Sequence, residues 1–316
     1  MELIRGLHNL RPRHRGSVAT IGNFDGVHLG HQAVIGRLAE RGAELGVPAT
    51  VITFEPQPLE YFAPGRVPPR LQRFREKMET LRRFAVDRVL VLPFNRRLAE
   101  MTAEAFIRRV LVDGLGVRYL VVGDDFRFGR GREGDFAMLE AAGREHGFTV
   151  AHLHSFCVDG ERVSSTRIRR ALEAGDLATA ERLLGRRYCM SGRVAHGDKL
   201  GRELGFPTAN IHLHRKASPL EGIFAVEVFG LEREPWPAVA SLGNRPTVDG
   251  TRTVLEVHLF DFDGDLYGRH LQVSFLHKLR DQEKFDSLAA LQAQIAADVA
   301  ATRAFFDRWY AQDACR

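Results

Sequence analysis

Short apolar runs alternate with amphipathic segments through the first 185 residues of the chain. The apolar runs predict strands at residues 18–21, 49–54, 88–92, 119–123 and 148–153. The segments between them predict helices, because their apolar side chains recur at three- and four-residue spacing. Strands that alternate with helices are typical of βαβ units, so we expect a parallel sheet with helices on its faces.

The helical spacing is clearest in four segments of this half. They lie at residues 32–44, 102–112 and 135–145, with a pair of helices at 165–184 interrupted at Gly175. We expect the first architecture to end near Gly185, where the pattern changes.

The second half has short strand-like runs separated by turn residues. Strands are predicted at residues 188–195, 222–229, 236–242, 253–259 and 272–276. This spacing favours an antiparallel sheet or a small barrel. A long helix at residues 287–310 follows and is expected to cap the barrel, with one apolar face made of Leu288, Leu291, Ile295, Val299, Phe306 and Trp309.

Length and composition fit two globular domains. The 316 residues exceed the roughly 100–200 of one domain, and 44% hydrophobic with 27% charged residues excludes a disordered chain. The longest wholly apolar run, residues 89–94, is far shorter than the roughly 18 residues of a membrane-spanning helix. We therefore expect no transmembrane segment and no membrane partner.

Charge and cysteine content narrow the choice of partner and compartment. The net charge is +5, and only five of the 45 basic residues are Lys. Because no basic run is interleaved with aromatic residues, we expect no nucleic-acid partner. Cys157, Cys189 and Cys315 form no CxxC pattern, and the N-terminus lacks an apolar signal region, so a cytoplasmic location is expected.

The segment GNFDGVHLGH follows the first predicted strand and opens the first helix. Ligands of open α/β sheets bind beyond the carboxyl ends of the strands, and the free N–H groups of a helix N-terminus favour phosphate. Gly22, Gly26 and Gly30 permit close approach of the backbone. His28 and His31, three positions apart, can face the same phosphates. Zinc is the alternative ligand, but no third-ligand pattern such as HExxH accompanies the pair.

Two further loops of this half carry polar side chains suited to a nucleotide. The segment GDDFRFGRGREGD follows the strand at 119–123 and combines acids, aromatic rings and glycines that suit a flat ring and a phosphate. An exposed surface loop is the alternative. The segment SSTRIR at 164–169 offers hydroxyls and cations at a helix start, although N-capping explains the hydroxyls as well.

The second half contains the glycine-punctuated segment GRVAHGDKLGRELGFPTAN. Its backbone N–H groups can hold phosphate, and Thr208 with Asn210 can help to hold Mg²⁺. A connecting loop with a turn at Pro207 is the alternative. Glu256 interrupts an apolar strand and is a candidate general base or an outward-facing charge. His258, on the same strand face, is a weaker candidate for the base.

Several motifs in one order identify a resemblance to a known family. GNFDGVHLGH, TFEPQP, VGDDFRFG and SSTRIR resemble the N-terminal module of the prokaryotic bifunctional riboflavin kinase and FAD synthetase (FMN adenylyltransferase) family. LGFPTAN, GIFAV and LEVHLFDF resemble its kinase module. The resemblance implies an α/β Rossmann-like HxGH nucleotidyltransferase domain at 1–186. It implies a six-stranded β-barrel riboflavin kinase domain with a long capping helix at 187–316.

The resemblance assigns roles to residues of the first half. His28 and His31 would be catalytic, stabilising charge while the phosphate of FMN attacks the α-phosphorus of ATP and expels pyrophosphate. FMN would contact Asp125, Phe126 and Phe128, although ordinary core packing is the alternative for both rings. The implied ATP contacts are Gly22, Phe24, Asp25, His28, His31, Ser164, Ser165, Thr166 and Arg169.

It also assigns roles to residues of the second half. Glu256 would be the base on the terminal ribityl hydroxyl of riboflavin, and Arg280 with Glu283 would contact riboflavin. Mg²⁺ would bind through Thr208, with Asn210 beside it. The implied ATP contacts of the kinase are His196, Gly197, Gly201, Gly205, Pro207, Thr208 and Asn210. The implied small-molecule partners are riboflavin, FMN, FAD and ATP, and the sequence indicates no oligomeric state.

Two other functions remain open from the sequence. One is an HxGH transferase for a different phosphorylated substrate, with the barrel as a non-catalytic binding module. Replacing riboflavin by pantetheine phosphate or glycerol phosphate would distinguish it. The other is a flavin- or nucleic-acid-binding regulator without catalysis, which salt-dependent nucleic-acid binding without ATP turnover would indicate. Neither accounts for motifs in both halves.

Overall fold

The parallel sheet is formed by the first half of the chain and the antiparallel barrel by the second, as the two sequence patterns predict. The computed structural model describes residues 1–123, 125–153, 155–197, 200–215, 217–247 and 250–313. It forms one unit from residues 1–68 and 74–164 and another from residues 69–73 and 165–316. Cys315 lies outside the described residues. The helices at 165–184 belong to the second unit, and the domain boundary expected at residue 186 stays a prediction.

The first unit is built on a parallel sheet of six strands in the order β1-β4-β3-β2-β5-β6. All five strands predicted in this half are present, with bounds shifted by one or two residues. The sheet consists of β1 (Glu2–Arg5), β2 (Ser17–Ile21), β3 (Ala49–Glu55), β4 (Arg88–Pro93), β5 (Val117–Gly123) and β6 (Thr149–Leu153).

Helices connect these strands, and the three predicted between residues 32 and 145 are confirmed. They are α1 (Leu29–Leu45), α2 (Pro58–Phe62), α3 (Phe74–Leu81), α4 (Arg96–Ala99), α5 (Ala103–Phe106) and α6 (Phe136–His146), with a short two-stranded ribbon of β7 (Cys157–Val158) and β8 (Glu161–Arg162) after the sheet. The segment predicted at 102–112 begins as α5 and continues as a π-helix over Ile107–Val112. The turn at Gly46, which has φ of +63°, ends α1.

The sequence pattern missed β1 and α3. The four residues of β1 bury only Ile4, which is too short a pattern to predict a strand. In α3 the buried positions include Glu76, Lys77 and Thr80 as well as Met78 and Leu81. Polar side chains therefore occupy buried positions that the periodicity rule reserves for apolar ones.

The second unit is a closed antiparallel barrel of six strands in the order β10-β13-β12-β11-β14-β9. The implied six-stranded barrel is confirmed. Its strands are β9 (Cys189–Ala195), β10 (Ala209–His212), β11 (Gly222–Phe229), β12 (Trp236–Thr247), β13 (Gly250–Leu259) and β14 (His270–Arg280). The pattern missed β10, which has four residues and buries only Ala209 and Ile211.

The described residues of the second unit also form four helices: α7 (Ser165–Glu173), α8 (Leu177–Leu184), α9 (Leu200–Glu203) and α10 (Leu288–Asp313). The terminal helix α10 packs on the barrel, where Phe306 is buried against Ile223 and Phe260. Leu288 was predicted to lie on its apolar face but is 61% exposed, because it is the first residue of the helix.

Candidate functional sites

The loop after β2 lies where open α/β sheets bind their ligands. Chain order along the sheet reverses between β2 and its neighbour β5, and ligands occupy the carboxyl edge at such a point. The carboxyl end of β2 leads to residues 22–28, and that of β5 comes before the loop of residues 125–134. Two separately predicted loops thus start from adjacent strands.

The two histidines of the first loop lie side by side at the start of α1. His28 is the N-cap residue, and its Nδ1 accepts a hydrogen bond from the backbone N–H of His31 at 3.4 Å. In the neutral ring the hydrogen is therefore on Nε2, which can donate to a phosphate oxygen. The imidazole centroids of His28 and His31 are 3.7 Å apart with 19° between the ring planes.

The loop between β2 and α1 is tightly packed. Phe24 and Val27 are buried and adopt φ of +50° and +41°, which side chains other than glycine seldom adopt. Asp25 is also buried. A Cβ atom at Gly30 would lie 3.2 Å from the His28 ring, and one at Gly22 would lie 3.1 Å from Phe24. Glycine at both positions leaves room for these rings.

The zinc alternative would need further ligands beside this pair of histidines. Among the described residues, no group of three or more His, Cys, Asp or Glu side chains has an arrangement that could hold a metal ion. The stacked rings and the backbone bond to His28 Nδ1 instead present donors at a helix N-terminus, which is the arrangement that binds anions.

The loop after β5 contains the three predicted FMN contacts in different environments. Asp125 is exposed and accepts a hydrogen bond from Arg162 at 3.2 Å, which holds the pKa of this carboxyl below its usual range. Phe126 is half-buried, whereas Phe128 is a buried member of the core. Their rings stack with centroids 5.5 Å apart.

The SSTRIR segment divides between the two units. Ser164 is the last residue of the first unit. Ser165 is the first residue of α7 in the second unit, where Thr166 and Arg169 also lie. Arg169 donates from Nε to the backbone oxygen of Pro69 at 2.7 Å, within the same unit.

The second unit contains a cavity of about 430 Å³ that includes six of the predicted kinase residues. Polar and apolar side chains both line it: Gly201, Leu204, Phe206, Thr208, Asn210, Ile223, Val239, Ala240, Ser241, Glu256, His258, Arg280, Gln282, Glu283, Phe285, Leu291, Ile295 and Asp298. A site with many apolar walls and a few convergent polar groups is typical of a small-molecule site.

The register of the barrel brings the predicted magnesium residues to the predicted base. Asn210 on β10 pairs directly with Glu256 on β13. Both side chains line the cavity. Thr208 also lines it and lies two residues before Asn210, on the same side of an extended chain. The hydroxyl, amide and carboxylate therefore meet within one cavity.

Two of the predicted glycines are packed against this cluster. A Cβ atom at Gly197 would overlap the side-chain amide of Asn210, and one at Gly201 would lie 3.0 Å from Thr208 Oγ1. Gly205 has φ of +87° and lies before Phe206, in the turn that precedes Thr208.

Neither His196 nor Pro207 lines the cavity. Pro207 is instead hydrogen-bonded by His258, which does line it. The Nδ1 atom of His258 lies 2.8 Å from the backbone oxygen of Pro207. Since a carbonyl oxygen only accepts, His258 donates this bond and fixes the turn before Thr208. The ring of His196 packs on Tyr267 with centroids 3.9 Å apart.

Sequence reasoning missed the cavity residues that come from distant parts of the chain. Ser241 pairs with Glu256 across β12 and β13 and accepts a hydrogen bond from Gln282 at 3.2 Å. Arg280 and Glu283 were predicted, but Asp298, which binds Arg280 at 2.7 Å, was not. No local sequence pattern connects residues 41 or 18 positions apart.

Comparisons with known proteins agree in both halves. The FAD synthetase family model matches residues 10–167, and the riboflavin kinase model matches residues 184–306. No helix in the described part of the chain combines the length and apolar composition needed to cross a bilayer.

Several relatives and one solved structure match along nearly the whole chain. The bifunctional riboflavin kinase/FMN adenylyltransferases of Escherichia coli K12 and Pseudomonas fluorescens are 53% and 56% identical, over 97% and 96% of this chain and 98% and 97% of theirs. A crystal structure described as a macrolide-efflux protein from Streptococcus pneumoniae is 30% identical with a TM-score of 0.81, over 96% of this chain and 99% of that one. This chain belongs to the bifunctional riboflavin kinase/FMN adenylyltransferase family.

Proposed function

We propose that the barrel cavity is the site where riboflavin is phosphorylated by ATP, with Glu256 as the general base. The chain is a riboflavin kinase and an FMN adenylyltransferase, and the cavity contains the polar groups that the kinase reaction needs. The observation that carries the proposal is the direct pairing of Asn210 with Glu256 in that cavity. A carboxylate there can take the proton of the ribityl hydroxyl as the hydroxyl oxygen bonds to the γ-phosphorus of ATP. The bond from that phosphorus to the β,γ-bridging oxygen breaks, and ADP leaves.

Magnesium fits the donor set of this cavity. The hydroxyl of Thr208 and the amide oxygen of Asn210 are neutral oxygen donors of the kind that Mg²⁺ accepts, with phosphate oxygens and water completing its shell. The packing of Gly197 and Gly201 against these two side chains fixes their positions. A bound Mg²⁺ would neutralise charge on the phosphates of ATP.

The first unit is proposed to adenylylate FMN. A phosphate oxygen of FMN forms a bond to the α-phosphorus of ATP, and the bond from that phosphorus to the bridging oxygen breaks, so pyrophosphate leaves. His28 and His31 stabilise the charge on the phosphates from the N-terminus of α1. Mg²⁺ is proposed as the second requirement of this step, since the leaving group is a polyanion.

The flavin of this reaction is proposed to contact the loop after β5. Phe126 is the better candidate for a ring contact because it is half-buried, whereas Phe128 is 7% exposed and packs in the core. Asp125 is exposed and held by Arg162. Its carboxylate can therefore accept a hydrogen bond from the flavin ring N–H or a ribityl hydroxyl.

A cytoplasmic location is proposed from the absence of a CxxC pattern and the odd number of cysteines. ATP and riboflavin are the co-substrates that the two activities require. FMN is the product of one activity and the substrate of the other.

A time course with the purified chain tests the proposal. Riboflavin, ATP and Mg²⁺ are mixed with the enzyme, and flavins are separated by chromatography. FMN is expected first and FAD second, with both absent when a chelator replaces Mg²⁺. Thr208→Val should slow FMN formation and leave the conversion of added FMN to FAD at its original rate. Equal loss of both conversions in that variant would contradict the assignment of Thr208 to the kinase.

A further inference from the structure

The terminal helix contributes one face to the kinase cavity. Leu291, Ile295 and Asp298 all line it. Their spacing of four and three residues places them on one side of α10. Of these three cavity residues Asp298 carries a charge, and it is 7% exposed. A buried carboxylate beside a substrate cavity needs a physical reason.

Two elements of the second unit hold the carboxylate of Asp298. Arg280, the last residue of β14, donates from Nε and Nη2 to its two oxygens at 2.9 and 2.7 Å. Gln294 on α10 donates to the same carboxylate at 3.0 Å. The buried hydroxyl of Thr302 donates to the backbone oxygen of Asp298 at 2.7 Å. The position of the carboxylate is therefore fixed before any substrate binds.

The fixed carboxylate also fixes the guanidinium of Arg280. A third N–H of Arg280, on Nη1, donates to the backbone oxygen of Asp281 at 2.9 Å. A guanidinium has five N–H groups. Among the described residues, Asp298 and the Asp281 oxygen accept from three of them, so two N–H groups remain to donate to a ligand. The ring of Phe285 lies 5.8 Å from the guanidinium carbon. Arg280 thus has little freedom to rotate at the cavity wall.

Stability alone does not explain this pair. Replacing a buried ion pair by well-packed apolar residues is often neutral or stabilising, and the neighbouring Leu291 and Ile295 are apolar. The pair also fixes the orientation of the arginine, because a bidentate carboxylate orients a planar guanidinium. An arginine oriented in advance loses less conformational entropy when a ligand binds.

We propose that Asp298 is a positioning residue for riboflavin binding by the kinase. It orients Arg280 so that the two remaining N–H groups donate to carbonyl oxygens of the flavin ring. This inference rests on the proposed function of the cavity. It goes further by assigning a role to a helix that the sequence predicts only as a cap.

Asp298→Asn tests the role, because it keeps the shape of the side chain and removes the charge. The KM for riboflavin is expected to rise about tenfold, since a hydrogen bond between charged groups becomes a weaker one. The kcat of phosphorylation and the KM for ATP should change less than about threefold. Asp307→Asn is the matched control, because it removes an exposed carboxylate from the same helix and should leave all constants unchanged.

A double-mutant cycle separates positioning from helix anchoring. If Asp298 acts through Arg280, Asp298→Leu raises the riboflavin KM in the wild-type background and has no further effect on it in Arg280→Leu. Additive effects of the two substitutions would overturn the proposal. So would an unchanged riboflavin KM in Asp298→Asn accompanied by a lower melting temperature. Failure of the proposed function is distinguishable, because Glu256→Gln would then still phosphorylate riboflavin.

Discussion

Lys77 on α3 is a buried cation that contacts the loop carrying His28, and replacing it by Met tests how that loop is held. Lys77 has no exposed surface, and its Nζ donates to the backbone oxygen of Asn23 at 2.8 Å. Asn23 lies in the loop in which Phe24 and Val27 hold positive φ. Methionine keeps the length and apolar stem of the side chain but removes the charge and the donor.

The magnitude follows from the lost hydrogen bond. A bond from a charged donor contributes about 1.5–3 kcal/mol, and each 1.36 kcal/mol in an activation barrier changes a rate about tenfold. If the loop depends on this bond, the rate of FAD formation falls by about 10- to 150-fold. Thr53 Oγ1 also donates to the Asn23 oxygen, at 3.3 Å, so the lower part of this range is expected.

The assay measures initial rates of FAD formation from FMN and ATP in Lys77→Met. Phosphorylation of riboflavin in the same samples should be unchanged, which shows that the barrel unit is intact. Arg75→Met is the matched control, because it removes an exposed cation from the same helix, and it should form FAD at the wild-type rate. A rate for Lys77→Met within threefold of wild type would refute the argument that this bond holds the loop.

Two further predictions concern the second unit. Gly201→Ala should lower the rate of riboflavin phosphorylation about 10- to 100-fold and leave FAD formation from FMN unchanged. The reason is that the new Cβ would lie 2.5 Å from the Phe206 oxygen and displace Thr208. An unchanged rate of phosphorylation would contradict this, because it would show that the turn adjusts freely. Asp176→Ala should lower the free energy of unfolding of this unit by about 1 kcal/mol at pH 7, since Asp176 caps α8. Hydrogen bonds from Thr179 hold the pKa of Asp176 below its usual range. The cap therefore stabilises the fold above the ordinary pKa of an aspartate and is lost as the pH falls through the lowered pKa, so denaturant unfolding should show the difference shrinking in acid.

The fold was predictable where one face of an element is apolar throughout. Residues 222–229 form a strand with the predicted bounds because seven of its eight residues are buried. The missed strand β10 has only two buried residues, Ala209 and Ile211, and lies within a glycine-punctuated loop. Its existence depends on hydrogen bonds to β9 and β13, which no local pattern records.

The candidate site was predictable where a polar residue interrupts an apolar pattern or belongs to a motif. Glu256 stands out in the alternation of β13, and the His28 and His31 pair stands out at a helix start. Ser241 and Asp298 carry no such signal. The first reaches the cavity through cross-strand register, and the second through an ion pair between β14 and α10.

The resemblance supplied residue roles that local chemistry left open. Glu256 and His258 lie on one strand face, and the sequence alone did not separate them. The structure shows that Nδ1 of His258 already donates to the Pro207 oxygen. Nδ1 of His258 is therefore occupied by the turn at Pro207. Glu256 instead pairs with Asn210 of β10, whose side chain carries the amide.

The most direct test of two separate reactions is a comparison of Glu256→Gln and His31→Ala, each supplied with riboflavin or with FMN. Glu256→Gln should form no FMN from riboflavin yet convert added FMN to FAD at the wild-type rate. His31→Ala should convert riboflavin to FMN at the wild-type rate and accumulate it, forming little FAD. Parallel loss or parallel survival of both conversions in the two variants would contradict the division of the activities between the two units.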